Sequence, residues 1–153
     1  MMDLESYLKQ NKIWYRFIEK AETIHTADAA KAAGIELNVV TKNLVSRTDQ
    51  GEYVLLIVPG DRKVDLDKVA RILNVKKVRL VPFEQASEIS GYLPGATPSI
   101  GHKIKMRTLL DRSLTKHDTI YCGGGSRDKL LELKTSDIIN LSGAIIDDIS
   151  TNV

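Results

Sequence analysis

A chain of 153 residues, 42% hydrophobic and 27% charged, has the makeup of one soluble domain (residues 1–153) long enough to enclose a core. Its net charge of +2 excludes a polycation, so any nucleic-acid contact must come from local clusters of Lys and Arg. One cysteine, Cys122, excludes an internal disulfide framework, no apolar run approaches the roughly 20 residues of a membrane span, and the acid-bearing start MMDLESYLKQ lacks a signal-peptide core, so the expected setting is the reducing cytoplasm.

From the N-terminus, Asp3 to Gln10 reads as a short helix with Leu4, Tyr7 and Leu8 on one face. Trp14 to Ile18 is an aromatic and β-branched strand. Thr26 is placed to cap an alanine-rich helix that stops at Gly34. Val39 to Arg47 and Glu52 to Val58 pattern as two strands of a hairpin turned at Asp49-Gln50-Gly51 and ended by Pro59-Gly60-Asp61. On the first strand Val40, Lys42, Leu44 and Ser46 share a face, which sets Lys42 between apolar neighbours. A helix over Asp65 to Leu73, a strand over Val78 to Val81 and a helix over Phe83 to Ile89, with Pro82 in its first turn, follow.

The stretch GYLPGATPSIGHKIKMR, Gly91 to Arg107, breaks the pattern. Four Gly and Pro breakers fall at its start, and its first eleven residues fit neither the helical nor the strand period. A loop this long in a compact domain is either functional or disordered, and Tyr92, Leu93 and Ile100 supply side chains to anchor it. The alternation that follows predicts a strand with Lys103, Lys105 and Arg107 on one face and His102, Ile104 and Met106 on the other. The stretch therefore reads as a backbone-rich pocket wall beside a basic ridge.

Strands over Ile104 to Leu110, Thr119 to Cys122, Leu130 to Leu133 and Ala144 to Ile149 complete the chain, with a helix capped by Thr135 or Ser136, running through Leu141 and stopped by Gly143. Helices and strands mix without a strict βαβ alternation. The expected class is α+β, a mixed, curved or barrel-like sheet with flanking helices.

Few side chains offer covalent chemistry. Cys122 ends an apolar strand, and His25, His102 and His117 are all distant in sequence, so it reads as a buried small residue rather than a thiolate nucleophile. The histidines have no metal-ligand spacing, and there is no G-x-S-x-G elbow. Gly123-Gly124-Gly125, followed by Ser126-Arg127-Asp128-Lys129, fails the phosphate-loop pattern; it is either a flexible turn or a close approach of backbone to a ligand, with Arg127 meeting a phosphate. Lys42 either snorkels to the sheet edge or stands at the mouth of a cavity, aimed at a carbonyl or phosphate.

Taken in order, His25-Thr26 with its alanine helix, Val40-Thr41-Lys42-Asn43-Leu44-Val45, Val58-Pro59-Gly60-Asp61, Gly91-Tyr92 through Gly95, Pro98 and Gly101, and Gly123-Gly124-Gly125 resemble the YbaK / prolyl-tRNA synthetase-associated domain family of aminoacyl-tRNA deacylases. The resemblance spans roughly Thr23 to Ser150. It implies a free-standing hydrolase that removes a wrong amino acid from the 3′ end of a tRNA, often alanine or cysteine from prolyl-tRNA, without a cofactor. A synthetase partner is compatible with it. The family's invariant lysine matches Lys42, and its G-x-x-x-P-x-G loop corresponds to Gly95 through Pro98 to Gly101. Here the chain departs from the paired glycines and two prolines frequent in the family, reading Gly95-Ala96-Thr97-Pro98-Ser99, which bears on the amino acid recognised.

On this reading Lys42 holds the terminal phosphate or ester carbonyl, and backbone N–H groups around Gly101 stabilise the oxyanion. Thr26, Gly91, Gly95, Ala96, Pro98, Ser99, Gly124 and Gly125 shape the substrate pocket. Lys103, Lys105, Arg107 and Arg127 meet tRNA phosphates; the competing reading of the first three is a solvated strand face. A non-catalytic tRNA- or protein-binding module on the same fold is the alternative function.

Overall fold

The computed structural model describes residues 3–153. In chain order the elements are α1 (Leu4–Gln10), β1 (Tyr15–Glu19), α2 (Thr26–Ala33), β2 (Thr41–Thr48), β3 (Tyr53–Pro59), β4 (Arg62–Val64), α3 (Leu66–Leu73), β5 (Val78–Leu80), α4 (Phe83–Ser90), β6 (Arg107–Asp111), β7 (Thr119–Gly123), β8 (Lys129–Lys134), α5 (Thr135–Ser142), β9 (Ile145–Asp147) and β10 (Ser150–Asn152), with short 3-10 turns at Leu37–Val39 and Arg112–Lys116. Among these residues no helix is long and apolar enough to cross a membrane.

The expected mixed class holds, but the sheets are open rather than closed into a barrel. A five-stranded sheet runs β5-β2-β3-β6-β9, antiparallel through β5, β2 and β3 and parallel from β3 through β6 to β9. A three-stranded antiparallel sheet runs β1-β8-β7, and β4 pairs with β10. One parallel bridge, Val40 to Tyr121, stitches the larger sheets together.

Strand β3 explains the layering. Leu55 and Ile57 enter the core between the two larger sheets, with Ile120, Leu131 and Leu133 opposite. Val54, Leu56 and Val58 face a second core under α3, beside Val69, Ala70 and Leu73. Both faces are covered, so the strand reads as an unbroken apolar run instead of an alternation. All five of these β3 residues are fully buried, each side chain contributing on the order of 2 kcal/mol in transfer terms.

Several local expectations are corrected. Thr26 and Thr135 are first helical residues; His25 and Lys134 occupy the N-cap positions, without a side-chain cap bond. Pro59-Gly60-Asp61 turns the chain into β4, a short charged strand whose partner lies at the far C-terminus. The final strand is two, β9 and β10, separated by Asp148 and Ile149; the Asp148 amide donates to the side chain of its neighbour Asp147. Finally, His102 to Met106 is not a strand. The Lys103 and Ile104 amides donate to the carbonyls of Ser90 and Ile89 at the end of α4, so this backbone wraps a helix terminus. Lys103, Ile104 and Lys105 are all exposed, and the two-faced ridge does not form.

Candidate active site

Strand β5 pairs only with Ser46–Thr48 of β2. The preceding part of β2, Thr41 to Val45, has no neighbouring strand on that side and instead walls a cavity of about 730 Å3. The remaining walls come from the start of α2 (His25, Thr26), the β5–α4 junction (Leu80 to Phe83), the loop residues Pro94, Gly95 and Thr97, and Gly123 at the end of β7.

The loop wall is held by many bonds. Gly91 closes α4 in the left-handed conformation (φ 86°). The buried Tyr92 donates its hydroxyl to the Gly101 carbonyl at 2.7 Å, and His102 Nε2 donates to the Pro98 carbonyl at 2.7 Å. Burial pushes the Tyr92 phenol up to about 12 and lowers the His102 imidazole. Arg127 donates from Nε to the Pro94 carbonyl at 2.8 Å. Of the three anticipated anchors, Tyr92 and Ile100 are buried, while Leu93 is exposed.

The triple glycine meets this wall. The Gly123 and Gly125 amides donate to the carbonyls of Thr97 and Ala96 at 3.1 and 3.0 Å. A Cβ on Gly123 would stand 2.4 Å from the Ala96 carbonyl carbon and 2.6 Å from the Thr97 nitrogen. The close backbone approach read from sequence thus exists, but its partner is the protein's own loop. Gly95 is similarly tight: its φ is 86°, and a Cβ would lie 2.8 Å from the Ile24 backbone.

Lys42 lines the cavity. Its ammonium donates to the Arg62 carbonyl at 2.6 Å, which fixes its direction and leaves two N–H donors on the same nitrogen. Burial lowers the Lys42 pKa, offset in part by the charge of Asp61. Next to it, Asn43 is oriented from both ends: its Oδ1 accepts from Ser99 Oγ at 2.6 Å and its Nδ2 donates to Thr41 Oγ1 at 2.9 Å. Thr41 in turn donates to the Tyr121 carbonyl at 2.9 Å. The cavity therefore combines one positioned cation, one positioned amide and a backbone wall, with apolar surface from Val45, Val81 and Ala86.

Of the residues anticipated from sequence, Thr26, Lys42 and Gly95 line the cavity together. Ala96, Pro98 and Ser99 are buried in the layer behind the wall. Gly101 is turned to α1, where a Cβ would lie 3.1 Å from Tyr7 Cδ1 and 3.2 Å from Leu4 Cδ1. Gly91 backs onto Lys103, Gly124 onto Lys129, and Gly125 onto Leu4. Arg107 pairs with Glu52 at 2.6 Å, outside the cavity. Asn43, Thr97 and Phe83 were not singled out from sequence. Asn43 lies beside Lys42 and could have been found from that adjacency; the other two carry no sequence signal.

Cys122 is fully buried and its thiol is pushed up to about 11 by desolvation. The folded protein should not react with a thiol reagent at pH 8, whereas the denatured chain should label at one site. Rapid labelling of the native protein would overturn this assignment of an inert core thiol. Among the described residues no three His, Cys, Asp or Glu side chains gather as metal ligands would.

The model of the aminoacyl-tRNA editing domain matches residues 19–141. The EbsC protein of Enterococcus faecalis, provisionally named a Cys-tRNA(Pro)/Cys-tRNA(Cys) deacylase, is 26% identical over 94% of this chain and 90% of its own. The multifunctional Ser/Thr-tRNA deacylase ProXp-y of Escherichia coli is 27% identical over 60% of this chain and 55% of its own. A crystal structure provisionally titled a trans-editing enzyme for prolyl tRNA synthetase superposes with a TM-score of 0.80 at 27% identity, covering 90% of this chain and 87% of that one. With a family match over most of its length and this fold throughout, the chain belongs to the aminoacyl-tRNA editing domain family.

Proposed function

We propose that this protein hydrolyses, in trans, the ester joining an incorrect amino acid to the 3′ end of a tRNA, with alanine or cysteine on tRNA(Pro) as the substrate class. The observation that carries the reading is Lys42: a lysine tethered by one hydrogen bond, with donors to spare, in a cavity walled by main chain. Family membership and the deacylase names of the relatives support the same reaction.

The chemistry asks little of the side chains. A water hydrogen-bonded to the neighbouring ribose hydroxyl attacks the ester carbonyl and gives up a proton through that hydroxyl. The carbonyl oxygen becomes an oxyanion, which collapses to the free carboxyl group as the C–O bond to the ribose breaks and the departing ribose oxygen takes that proton. Lys42 meets the carbonyl oxygen or the terminal phosphate, and the main chain from Gly95 to Thr97 supplies the facing wall. Gly101 keeps the loop seated from behind. Oxyanion donors of this kind give on the order of 10²–10³ in rate. Substrate assistance accounts for a site with no acid–base dyad. A mischarged tRNA ending in 2′-deoxyadenosine should then lose its amino acid at least about 10²-fold more slowly than the normal ester, the scale of general-base help. Equal rates would remove the hydroxyl from the mechanism, and hydrolysis of neither ester would remove the function.

Exposed Lys103 and Lys105 are proposed to meet acceptor-stem phosphates, with Arg107 at the same end already paired to Glu52. Changing both lysines to alanine should weaken tRNA binding and reduce its salt slope by about one for each charge removed. An unchanged affinity and slope would sink that role. The second reading, a binding module without catalysis, draws on the same bond that orients Lys42: an ammonium satisfied by Arg62 could serve the fold alone.

A further inference from the structure

Three large apolar side chains lie unusually open at one place. Phe83 is 62% exposed, Ile24 44% and Leu80 41%, and all three line the cavity that holds Lys42. They come from three separate segments: the approach to α2, the end of β5 and the first residue of α4. The chain has only two phenylalanines, and Phe17, the other, packs edge-on against Tyr15 in the core region. Exposing Phe83 forgoes the favourable burial of an aromatic ring, so an exposed ring on a cavity rim asks for an occupant.

The backbone under Phe83 is stiff. The Val81 amide donates to the Val45 carbonyl at 3.0 Å, tying the junction to β2. Pro82 fixes its own φ at −55°. The Ala86 amide and the Ser87 hydroxyl then bond back to the carbonyls of Pro82 and Phe83 at 2.9 and 3.0 Å. The ring is thus carried on a fixed platform at the mouth.

We infer that Phe83, flanked by Leu80 and Ile24, is a stacking platform for the unpaired terminal nucleobase of the tRNA acceptor end, and so a substrate-positioning residue. The inference rests on the proposed deacylase reading, and the occupant follows from continuity. If the ester carbonyl lies by Lys42, the ribose that bears it lies in the same cavity, and the attached base must leave through the mouth. A planar apolar base with no pairing partner is what an exposed aromatic face binds, with sequence tolerance because every base offers a π-face. The open rim also suits a protein contact, and the test separates the two.

Two readouts are needed. Phe83→Ala should raise KM for a mischarged tRNA about tenfold or more, the scale of one lost base–aromatic stack, with a smaller change in kcat. Phe83→Leu should recover little of this and Phe83→Trp most of it. Independently of activity, the fluorescence of Phe83→Trp in a Trp14→Phe background should be quenched by the uncharged trinucleotide CCA and far less by the same oligonucleotide with an abasic 3′ end. Quenching by CCA with no hydrolysis of any ester would keep the platform and remove the deacylase reading. Equal quenching by both oligonucleotides, or a KM unchanged in Phe83→Ala, would overturn the platform. A wild-type dimer that becomes a monomer in Phe83→Ala, with KM unchanged, would assign the rim to a contact between copies instead.

Discussion

Replacing Lys42 with methionine or alanine should lower single-turnover deacylation by about 10²–10³-fold, the range found when one group facing an oxyanion is removed. Methionine keeps much of the apolar stem, so it isolates the loss of the ammonium from the loss of packing. The melting temperature should move little, because the change removes one hydrogen bond to the Arg62 carbonyl at the edge of the cavity. Arginine should not rescue the activity: its planar fork is longer and cannot place a compact charge where the ammonium sits. The pH dependence has a definite sign. Burial lowers the Lys42 pKa from the ordinary 10.5, so the cation is lost at a lower pH than for an exposed lysine. Activity that needs the cation should hold through neutrality and fall on the alkaline side earlier than 10.5. A falling limb that persists in Lys42→Met would assign that titration to another group.

The second large effect should come from Gly123→Ala. The added methyl would stand 2.4 Å from the Ala96 carbonyl carbon, against backbone that cannot rotate away. Relief requires the wall to retreat, which breaks the Gly123–Thr97 and Gly125–Ala96 hydrogen bonds. We expect destabilisation of about 3 kcal/mol, the upper range for overpacking, and a melting temperature lower by roughly 10 °C for a domain of this size. Deacylation should fall even well below that melting temperature, since the displaced segment carries the cavity wall. Gly124→Ala contrasts in place rather than in severity: its Cβ would lie 2.8 Å from the Lys129 carbonyl oxygen at the start of β8, away from the wall, so it should also destabilise the fold but lower deacylation less well below its melting temperature. If Gly123→Ala melts and turns over as wild type does, the close contact is not part of the working site.

How much of this was legible in the sequence depends on the range of the interactions. Strands β2 and β3 and helix α3 were, because their periodicity is local and their turn and caps are spelled out by Asp49-Gln50-Gly51 and Asp65. The loop was legible as a loop, since Gly91, Pro94, Gly95 and Pro98 forbid a regular period. Its wiring was not. The Arg127–Pro94, Ser99–Asn43 and Gly123–Thr97 bonds join residues 33, 56 and 26 positions apart, and nothing in the local pattern encodes them. The expected strand over His102 to Met106 shows the limit from the other side. Its alternation of lysines and apolar residues is real, yet the backbone is captured by the end of α4. Strand β4 failed for want of length: Arg62, Lys63 and Val64 have no strand signature until β10 pairs with them. At the site, Lys42 could be singled out by charge against an apolar strand. Phe83 could not, because an aromatic at a helix start reads as core until its exposure is known.

Hydrolysis is tested most directly by single-turnover loss of labelled amino acid from Ala-, Cys- and Ser-tRNA, with tRNA affinity measured in the same samples. Wild-type protein should cleave at least one of these esters far faster than buffer alone, and the Lys42→Met variant should bind the tRNA but cleave that ester about 10²–10³-fold more slowly. Binding without acceleration of any ester by the wild type would contradict this and mark the protein as a tRNA-binding module on an editing fold.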